Sequence, residues 1–344
     1  MKNAFPMAIV TAPGKIEFED RVLPDMGDHN VVLEVRATTI CGGDLHIFRG
    51  KHPAAPLPAA IGHEVAGKVV EIGPDVTRVQ IGDRVAVEPV IACGVCHFCR
   101  RGEYHLCTHI SFQYRVGQGG FTPYFVAHEN WVHKLPQHLS YSEGALLEPL
   151  SVALHAVTRA GPRFGHSSAI FGAGAIGLLV LLLTKSAGGG QTFVVDIQDF
   201  RLHKARELGA SAVFNNLHGD AVLEILDRTG QLGVDISYEA VGLEATLLQC
   251  LRALKKGGTA VLVGLFEEPT LTLPANIFVQ KEITLSGSQG YNWDFQAALQ
   301  LLEQGRLDLT PLVTHEFPLA EIQQAFDLLM DPHAEAIKVA ILAN

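Results

Sequence analysis

Four cysteines lie close together in the first third of the chain, at Cys93, Cys96, Cys99 and Cys107. Thiolates are soft metal ligands, and this spacing allows all four to close a tetrahedral cage around one zinc ion. Because a closed cage leaves the metal no exchangeable position, the predicted role of this zinc is structural. An iron–sulfur cluster fits less well, since the bacterial ferredoxin motif ends C-x3-C-P, whereas here seven residues separate the last two cysteines and Thr108 follows. Four free thiols in a packed core are the remaining alternative.

A glycine-rich segment, Gly172-Ala173-Gly174-Ala175-Ile176-Gly177, matches the pattern G-x-G-x-x-G. It follows a predicted strand directly and begins an apolar helix, where glycines bring backbone amides close to a pyrophosphate. Asp196 ends the next predicted strand about 20 residues later, where a carboxylate binds the adenosine ribose. A carboxylate there would repel a 2′-phosphate, and Ile197 follows instead of an arginine, so NAD is favoured over NADP. Arg201 either lies over the adenine or is a solvated helix charge.

A second set of potential metal ligands is dispersed along the chain: Cys41, the adjacent pair His63 and Glu64, and Glu148. Each of these residues, taken alone, is explained by an ordinary structural role. A nucleotide-binding segment in the same chain strengthens the interpretation that they act together as metal ligands. A catalytic zinc needs about three protein ligands and one open position for an alcohol oxygen. Neighbours on a regular strand point to opposite faces, so His63 or Glu64 must sit on a bend if both are to reach the metal. Otherwise Glu64 does not bind the metal itself and instead contacts the residues that do.

The elements that must position these residues differ between the two halves of the chain. Up to about residue 150, short β-rich runs separated by glycine, proline and aspartate predict an irregular β domain. From about 152 to 286, apolar strands alternate with helices, which predicts a parallel sheet with right-handed crossovers. We therefore predict a catalytic domain at 1–152 that contains the cysteine lobe 93–107, a dinucleotide-binding domain at 153–286, and a C-terminal segment at 287–344 that rejoins the first domain.

Length and composition support this division. The chain has 344 residues, more than one core usually holds, and its 48% apolar and 18% charged residues are typical of a globular protein. The net charge of −10, without a run of Lys or Arg, disfavours nucleic acid and anionic membranes as partners. No secretory signal is recognisable, and the longest apolar stretch, 169–183, is shorter than the roughly 20 residues of a membrane helix. A cytoplasmic protein that acts on a small molecule is expected.

These motifs resemble the zinc-containing medium-chain dehydrogenase/reductase family, and most closely its sorbitol, polyol and butanediol dehydrogenase branch. The resemblance covers the whole chain and includes Cys41-Gly42-Gly43-Asp44-Leu45-His46, Gly62-His63-Glu64, Gly82-Asp83-Arg84-Val85 and Glu148-Pro149-Leu150-Ser151-Val152, besides the cysteine lobe and the glycine-rich segment. It implies an α/β protein with a GroES-like β-barrel catalytic domain and a Rossmann domain with a doubly wound parallel sheet. It also implies an NAD-dependent zinc alcohol or polyol dehydrogenase that assembles as a homo-oligomer, a dimer or a tetramer.

The same resemblance implies roles for individual residues. Cys41, His63 and either Glu64 or Glu148 would hold a catalytic zinc, while the cofactor would lie near Val241, Val263, Leu265, Ser288 and Gln289. Many relatives have Ser or Thr at the position of Gly43, where its hydroxyl passes the substrate proton toward the histidine that corresponds to His46. Without that hydroxyl, water would have to join His46 to the cofactor ribose. Asp44 either orients His46 or holds the loop.

Two other functions remain open at this point. An L-threonine 3-dehydrogenase has a similar layout and shares the Gly62-His63-Glu64 segment, although Glu148-Pro149-Leu150 fits the polyol branch better. A zinc- and NAD-binding protein without turnover would have no need of the open metal site that Cys41, His63 and Glu148 indicate. The identity of the alcohol does not follow from these motifs.

Overall fold

The computed structural model describes residues 4–24, 26–52, 55–268 and 270–343, which form two compact units. One unit comprises the described residues up to Glu148, Phe295–Gln304 and the described residues from Asp308 onward. The other comprises Pro149–Asp294 and Gly305–Leu307. The divisions after Glu148 and after Asp294 fall at or within the first turn of a helix, and two more fall at 304/305 and 307/308, whereas the sequence texture changes at 152/153 and 286/287.

The strands of the described residues are β1 (Phe5–Ala12), β2 (Lys15–Arg21), β3 (Asn30–Thr39), β4 (Ala59–Ala60), β5 (Glu64–Ile72), β6 (Arg84–Val87), β7 (Val90–Ile91), β8 (Ser111–Phe112), β9 (Tyr124–His128), β10 (Val132–Lys134), β11 (Ser168–Phe171), β12 (Thr192–Asp196), β13 (Ala212–Asn215), β14 (Val234–Glu239), β15 (Leu254–Leu262), β16 (Thr284–Gly287), β17 (Val313–Pro318) and β18 (Lys338–Leu342). The α-helices are α1 (Gly42–Phe48), α2 (His97–Arg100), α3 (Tyr141–Ala145), α4 (Leu147–Ala160), α5 (Ala175–Ser186), α6 (Asp199–Glu207), α7 (Ala221–Arg228), α8 (Glu244–Ala253), α9 (Asn276–Lys281), α10 (Asp294–Glu303) and α11 (Ile322–Met330). Short 3-10 helices span Tyr104–Leu106, Gln113–Val116, Glu129–Trp131, Thr310–Leu312 and Leu319–Glu321.

The first unit is built on a largely antiparallel sheet in the order β10-β6-β5-β3-β18-β17, with β9 also paired to β3. Apolar residues alternate along β3, so that Val31, Leu33 and Val35 are buried in one cluster with residues of β5 and β9. The register places Thr39 of β3 opposite Glu64 of β5, and β18 pairs with the other edge of β3. Three strands that are distant in sequence therefore meet near the end of β3.

The second unit contains a six-stranded parallel sheet in the order β13-β12-β11-β14-β15-β16. Its strands are apolar on both faces because helices cover both, and Phe171, Phe193 and Leu251 are buried in one core. Strand order reverses between β11 and β14, which opens a crevice at the carboxyl ends of these strands. The predicted doubly wound α/β sheet is confirmed. No helix in the described ranges has both the length and the apolar character needed to cross a membrane.

Candidate functional site

Cys41 lies where β3 gives way to α1. It is the N-cap of that helix, with φ −90° and ψ 156°, and its Sγ accepts a hydrogen bond from the Gly43 amide at 3.4 Å. The Asp44 carboxylate completes the cap, because its Oδ2 accepts from the Cys41 amide at 3.0 Å. Its Oδ1 accepts from the Gly62 amide at 2.9 Å, so Asp44 ties the Cys41 loop to the segment that carries His63.

His63 sits on a bend immediately before β5, and Glu64 is the first residue of that strand. The bend depends on Gly62, which has φ +87° and whose position would bring a Cβ to 2.8 Å from the Phe121 ring. Leaving the strand geometry at His63 removes the opposite-face restriction that applies to neighbours within a strand. The side chains of His63 and Glu64 can consequently lie on the same side of the chain.

The structure brings Cys41, His63 and Glu64 together, with one ligand atom from each within 4.8 Å of the others. The Nδ1 atom of His63 is buried and has no hydrogen-bond partner in the described ranges, since the nearest Asp44 oxygen is 3.6 Å away. Glu64 is fully buried, and its Oε1 likewise has no hydrogen-bond partner among the described residues. A thiol, an imidazole and a carboxylate that converge in this way, with an unpaired buried atom on the imidazole and on the carboxylate, fit a zinc site with three protein ligands.

The second oxygen of Glu64 is fully engaged. Its Oε2 accepts hydrogen bonds from the Thr39 hydroxyl and from the ammonium group of Lys338, which also donates to the Ile40 carbonyl at 2.9 Å. Lys338 is 3% exposed and belongs to the last strand, β18. Sequence reasoning missed this lysine, although a single charge in the apolar run from Ile337 to Leu342 was a usable signal.

The charges of this cluster perturb one another. Burial alone would lower the pKa of His63, but the charges of Asp44 and Cys41 outweigh it and hold that pKa well above its usual value. Burial raises the pKa of the Cys41 thiol, and the Glu64 charge adds to this while His63 opposes it. Burial would raise the pKa of Asp44, yet His63 and the two amide hydrogen bonds keep it below the usual range. Asp44 and His63 thus stabilise each other's charged forms, whereas burial disfavours the Cys41 thiolate.

Glu148 and His46 lie outside the group of converging ligand atoms. Glu148 is buried near the start of α4, and its negative charge contributes to the raised pKa of Lys338. The geometry favours Glu64 over Glu148 as the third ligand. His46 lies on α1 with its Nδ1 3.0 Å from a guanidinium nitrogen of Arg49. Of the two roles left open for Asp44, the structure shows the one that holds the loop, and its carboxylate faces His63.

The cysteine lobe forms a second convergent group, because the sulfur atoms of Cys93, Cys96, Cys99 and Cys107 all lie within 4.8 Å of one another without a disulfide. Amides of the loop point at the sulfurs: those of Cys93 and His109 donate to Cys107 Sγ at 3.4 and 3.3 Å. Hydrogen bonds from the amides of Cys99 and Thr108 lower the pKa of Cys96 to about 5. Burial and the neighbouring thiols raise the pKa of Cys99 to about 12. Four thiols with amide donors fit a closed zinc cage.

The second unit contains a cavity of about 290 Å³ at the carboxyl ends of its strands. Of the predicted cofactor contacts, it is lined by Gly172, Gly174, Asp196, Arg201 and Val241. Asp196 Oδ2 accepts from the Ala173 amide at 2.6 Å, which ties the carboxylate to the glycine-rich turn. The Arg201 Nε atom is buried there without a hydrogen-bond partner in the described residues. A glycine-lined turn, a carboxylate and an unsatisfied guanidinium donor fit an adenine dinucleotide.

The other predicted cofactor contacts do not line this cavity; they are Ala175, Ile176, Gly177, Val263, Leu265, Ser288 and Gln289. Gly177 has a packing role, because a Cβ there would lie 1.8 Å from the Gly172 carbonyl oxygen. Val263 follows β15 and donates its amide to Glu239, while Ser288 follows β16 and donates its amide to Leu262. Leu265 is 42% exposed. The cavity adds contacts that the sequence did not indicate, among them Asn216, Thr246 and Gln249.

Comparison with known proteins places this geometry in a family. Residues 27–137 match the alcohol dehydrogenase GroES-like domain, and residues 175–304 match the zinc-binding dehydrogenase domain. Sorbitol dehydrogenase of Bacillus subtilis (strain 168) is 33% identical over 98% of this chain and 97% of its own length. L-threonine 3-dehydrogenase of Pyrococcus horikoshii is 36% identical over 93% of each chain.

Solved structures agree with the sequence matches. The 2R,3R-butanediol dehydrogenase of Bacillus subtilis superposes with a TM-score of 0.90 at 33% identity and covers 99% of this chain and 100% of its own. A zinc-binding dehydrogenase from Sinorhizobium meliloti 1021, bound to NADP, gives a TM-score of 0.90 at 29% identity, with 99% and 100% covered. The chain is a member of the zinc-containing medium-chain dehydrogenase/reductase family of alcohol dehydrogenases, as its motifs predicted.

Proposed function

We propose that this enzyme uses NAD to oxidise a secondary alcohol of a polyol or vicinal diol at a zinc ion held by Cys41, His63 and Glu64. The observation that carries the proposal is the convergence of these three side chains, because His63 and Glu64 also each have a buried polar atom without a hydrogen-bond partner among the described residues. The similar sorbitol and butanediol dehydrogenases support the substrate class.

The residues around the ligands have distinct parts in this proposal. When bound, zinc supplies a Lewis acid that lowers the pKa of an alcohol hydroxyl, and NAD accepts the hydride. Asp44 keeps the Cys41 loop and the His63 segment at a fixed separation through its two amide hydrogen bonds. Thr39 and Lys338 hold one oxygen of Glu64 and leave the other for the metal. Since Gly43 has no hydroxyl, proton release falls to His46 through water.

In the second unit we assign the adenosine half of NAD to the cavity that contains Asp196. Its carboxylate would accept hydrogen bonds from the ribose, and the amides at the start of α5 would face the pyrophosphate. The zinc in the cysteine lobe would be structural, because four thiolates fill its coordination sphere.

Metal analysis combined with a substrate screen tests the proposal. We expect two zinc ions per chain and NAD reduction with sorbitol or 2,3-butanediol. One zinc per chain and no turnover would favour a binding protein, and turnover of L-threonine alone would favour the second candidate, which the similarity to L-threonine 3-dehydrogenase supports. Family likeness also leads us to propose a cytoplasmic homo-oligomer, a dimer or tetramer, which light scattering of the purified protein would test for the assembly.

A further inference from the structure

Arg115 is an exposed arginine whose charge has no carboxylate partner in the described part of the chain. Its guanidinium carbon lies 5.5 Å from the centre of the Phe112 ring and 5.9 Å from that of Tyr114. These two rings are stacked, with centres 5.7 Å apart and planes 17° from parallel. The guanidinium contacts the faces of these two rings through its positive charge, and this contact does not use its N–H groups as hydrogen-bond donors. Those N–H groups therefore stay available to a ligand.

The backbone that carries Arg115 is firmly held. It lies in the 3-10 helix Gln113–Val116, where the buried Gln113 donates its amide to Pro89 at 3.1 Å and accepts from the Gln118 side chain at 3.0 Å. Tyr114 packs against the apolar cluster that contains Ile61 and Phe121. The guanidinium is therefore carried by a backbone segment, Gln113–Val116, that is held in place.

The segment that carries Arg115 lies next to the metal ligands. The ring of Tyr114 contacts the ring of His63, with centres 5.7 Å apart. Because Arg115 lies 5.9 Å from the same Tyr114 ring, its guanidinium carbon is no farther than about 11.6 Å from the centre of the His63 ring. A polyol-sized molecule that reacts at the metal can extend across such a distance.

The electrostatic surroundings on this side of the metal ligands are positive. Burial lowers the pKa of the half-buried His52, and the charges of Arg115 and His46 lower it further. The carboxylate that opposes them is Asp44, which is 1% exposed and already hydrogen-bonded to two amides and faced by His63. An incoming anion would meet an uncompensated guanidinium there.

We propose that the alcohol oxidised at this centre carries an oxyanion, a carboxylate or a phosphate, and that Arg115 binds that group. The inference rests on the proposed function and narrows its substrate to an acidic polyol. A guanidinium recognises both oxyanions through two parallel N–H···O hydrogen bonds. Since the charged group would lie away from the reacting hydroxyl, Arg115 contributes affinity and orientation, and the chemistry stays at the metal.

The test compares one carbon skeleton in three charge states. Sorbitol, sorbitol 6-phosphate and gluconate are offered to the zinc- and NAD-loaded enzyme, and binding of the two anions is measured separately by calorimetry. Arg115→Met removes the charge and keeps the aliphatic stem, while Arg115→Lys keeps the charge and removes the fork. Arg21→Met is the matched control, because Arg21 is an exposed arginine on β2 that pairs with Glu19.

We expect wild-type kcat/KM to be about tenfold or more higher for one of the anions than for sorbitol. That preference should disappear in Arg115→Met, persist partly in Arg115→Lys and be unchanged in Arg21→Met, with sorbitol turnover within about twofold throughout. A preference for sorbitol 6-phosphate would identify the bound group as a phosphate, and a preference for gluconate would identify it as a carboxylate.

The inference is overturned if sorbitol is the best of the three substrates, or if Arg115→Met keeps the preference. If none of the three is oxidised, the proposed function fails for this substrate class, and calorimetry decides about Arg115 by itself. Anion binding that Arg115→Met abolishes would support the arginine site, and equal or absent binding in both proteins would refute it.

Discussion

The two carboxylate oxygens of Glu64 have different environments. Oε2 is held by Thr39 and Lys338, while Oε1 is buried without a hydrogen-bond partner among the described residues. One oxygen of this carboxylate lies within 4.8 Å of the ligand atoms of Cys41 and His63. Hydrogen-bond partners that hold one oxygen of a carboxylate ligand also fix the direction in which its second oxygen points. A carboxylate held in this way is positioned to bind a metal through a single oxygen, which a flexible side chain would achieve only with a loss of entropy.

This geometry predicts unequal consequences for the two candidate carboxylates. Glu64→Ala should lose zinc from the catalytic centre and lower kcat/KM by roughly tenfold to a hundredfold or more. Glu148→Ala should retain that zinc, because Glu148 is outside the ligand group. Zinc per chain, melting temperature and kcat should be determined on the same samples. Zinc loss in Glu148→Ala with normal zinc in Glu64→Ala would reverse the assignment.

Lys338 provides a second prediction at the residue scale. Removing one member of a buried ion pair leaves an uncompensated charge and costs about 3–5 kcal/mol. We expect Lys338→Met to lower the free energy of unfolding in urea by about this amount, and Glu64→Gln in the same chain to restore part of it. The two single variants and the double variant form a cycle that isolates the pair. Strictly additive losses would show that Lys338 does not act through Glu64.

At the scale of elements, the proposed metal centre is assembled where β3, β5 and β18 meet α1. The capping cysteine, the bend at Gly62 and the register of Thr39 with Glu64 each fix one part of it. No element contributes more than a few of the side chains, so the centre depends on the sheet that joins them.

The sequence predicted the local parts of these sites better than the distant ones. The spacing of the four cysteines and the glycines near Gly172 are short-range patterns, and both lie where the structure shows convergent groups. The contact between Glu64 and Lys338 joins residues 274 apart and follows from strand pairing that composition does not encode. The preference for Glu64 over Glu148 likewise depends on the bend at His63. The adjacency of His63 and Glu64 indicated that such a bend was needed for both to reach the metal, but not that the chain makes one.

Glu129 links three segments of the first unit and gives a prediction about pH. Its Oε2 accepts from the amides of Thr77 and Arg78 at 2.7 and 2.9 Å, and its Oε1 lies 2.8 Å from His29 Nδ1. The Thr77 amide and then His29 lower the pKa of Glu129 to about 2. A lowered carboxylate pKa stabilises the fold above the usual value of 4.5, and this contribution is lost as the pH falls toward about 2.

We therefore expect Glu129→Gln to lower the melting temperature by a few degrees at pH 7. The difference from wild type should shrink as the pH falls below 4.5, because the wild-type carboxylate then loses its advantage. It should also shrink at high pH, since Glu129 raises the pKa of His29 and that part of the stabilisation disappears when His29 deprotonates. Scanning calorimetry from pH 3 to 9 measures this, and a difference independent of pH would contradict it.

At the scale of the whole molecule, each compact unit builds its own site from its own residues. The candidate zinc ligands all belong to the first unit, and the residues that line the nucleotide cavity all belong to the second. Changes at sites that share no partners usually add in free energy. Metal binding and cofactor choice should therefore be separable by mutation, although turnover needs both.

Asp196 tests this separation. Its Oδ2 accepts from the Ala173 amide and its Oδ1 from the amides of Ile197 and Gln198, so the carboxylate both holds the turn and gives the cavity a negative charge. We expect wild type to prefer NAD over NADP by at least about tenfold in kcat/KM, which corresponds to about 1.4 kcal/mol, because a 2′-phosphate would face this charge.

Asp196→Asn removes the charge and keeps one acceptor oxygen, which can bind either the Ala173 amide or the amides of Ile197 and Gln198 but not both sets. We expect this variant to lose most of the preference for NAD over NADP and to retain the wild-type zinc content. Asp199→Asn is the matched control, because Asp199 is an exposed carboxylate on α6 that binds the Asn215 side chain and does not line the cavity. Kinetics with both cofactors and zinc analysis of each variant would decide. If wild type used both cofactors equally, charge repulsion by Asp196 would not govern the choice. If Asp196→Asn lost zinc, the two sites would be coupled, and the additivity expected of separate units would fail.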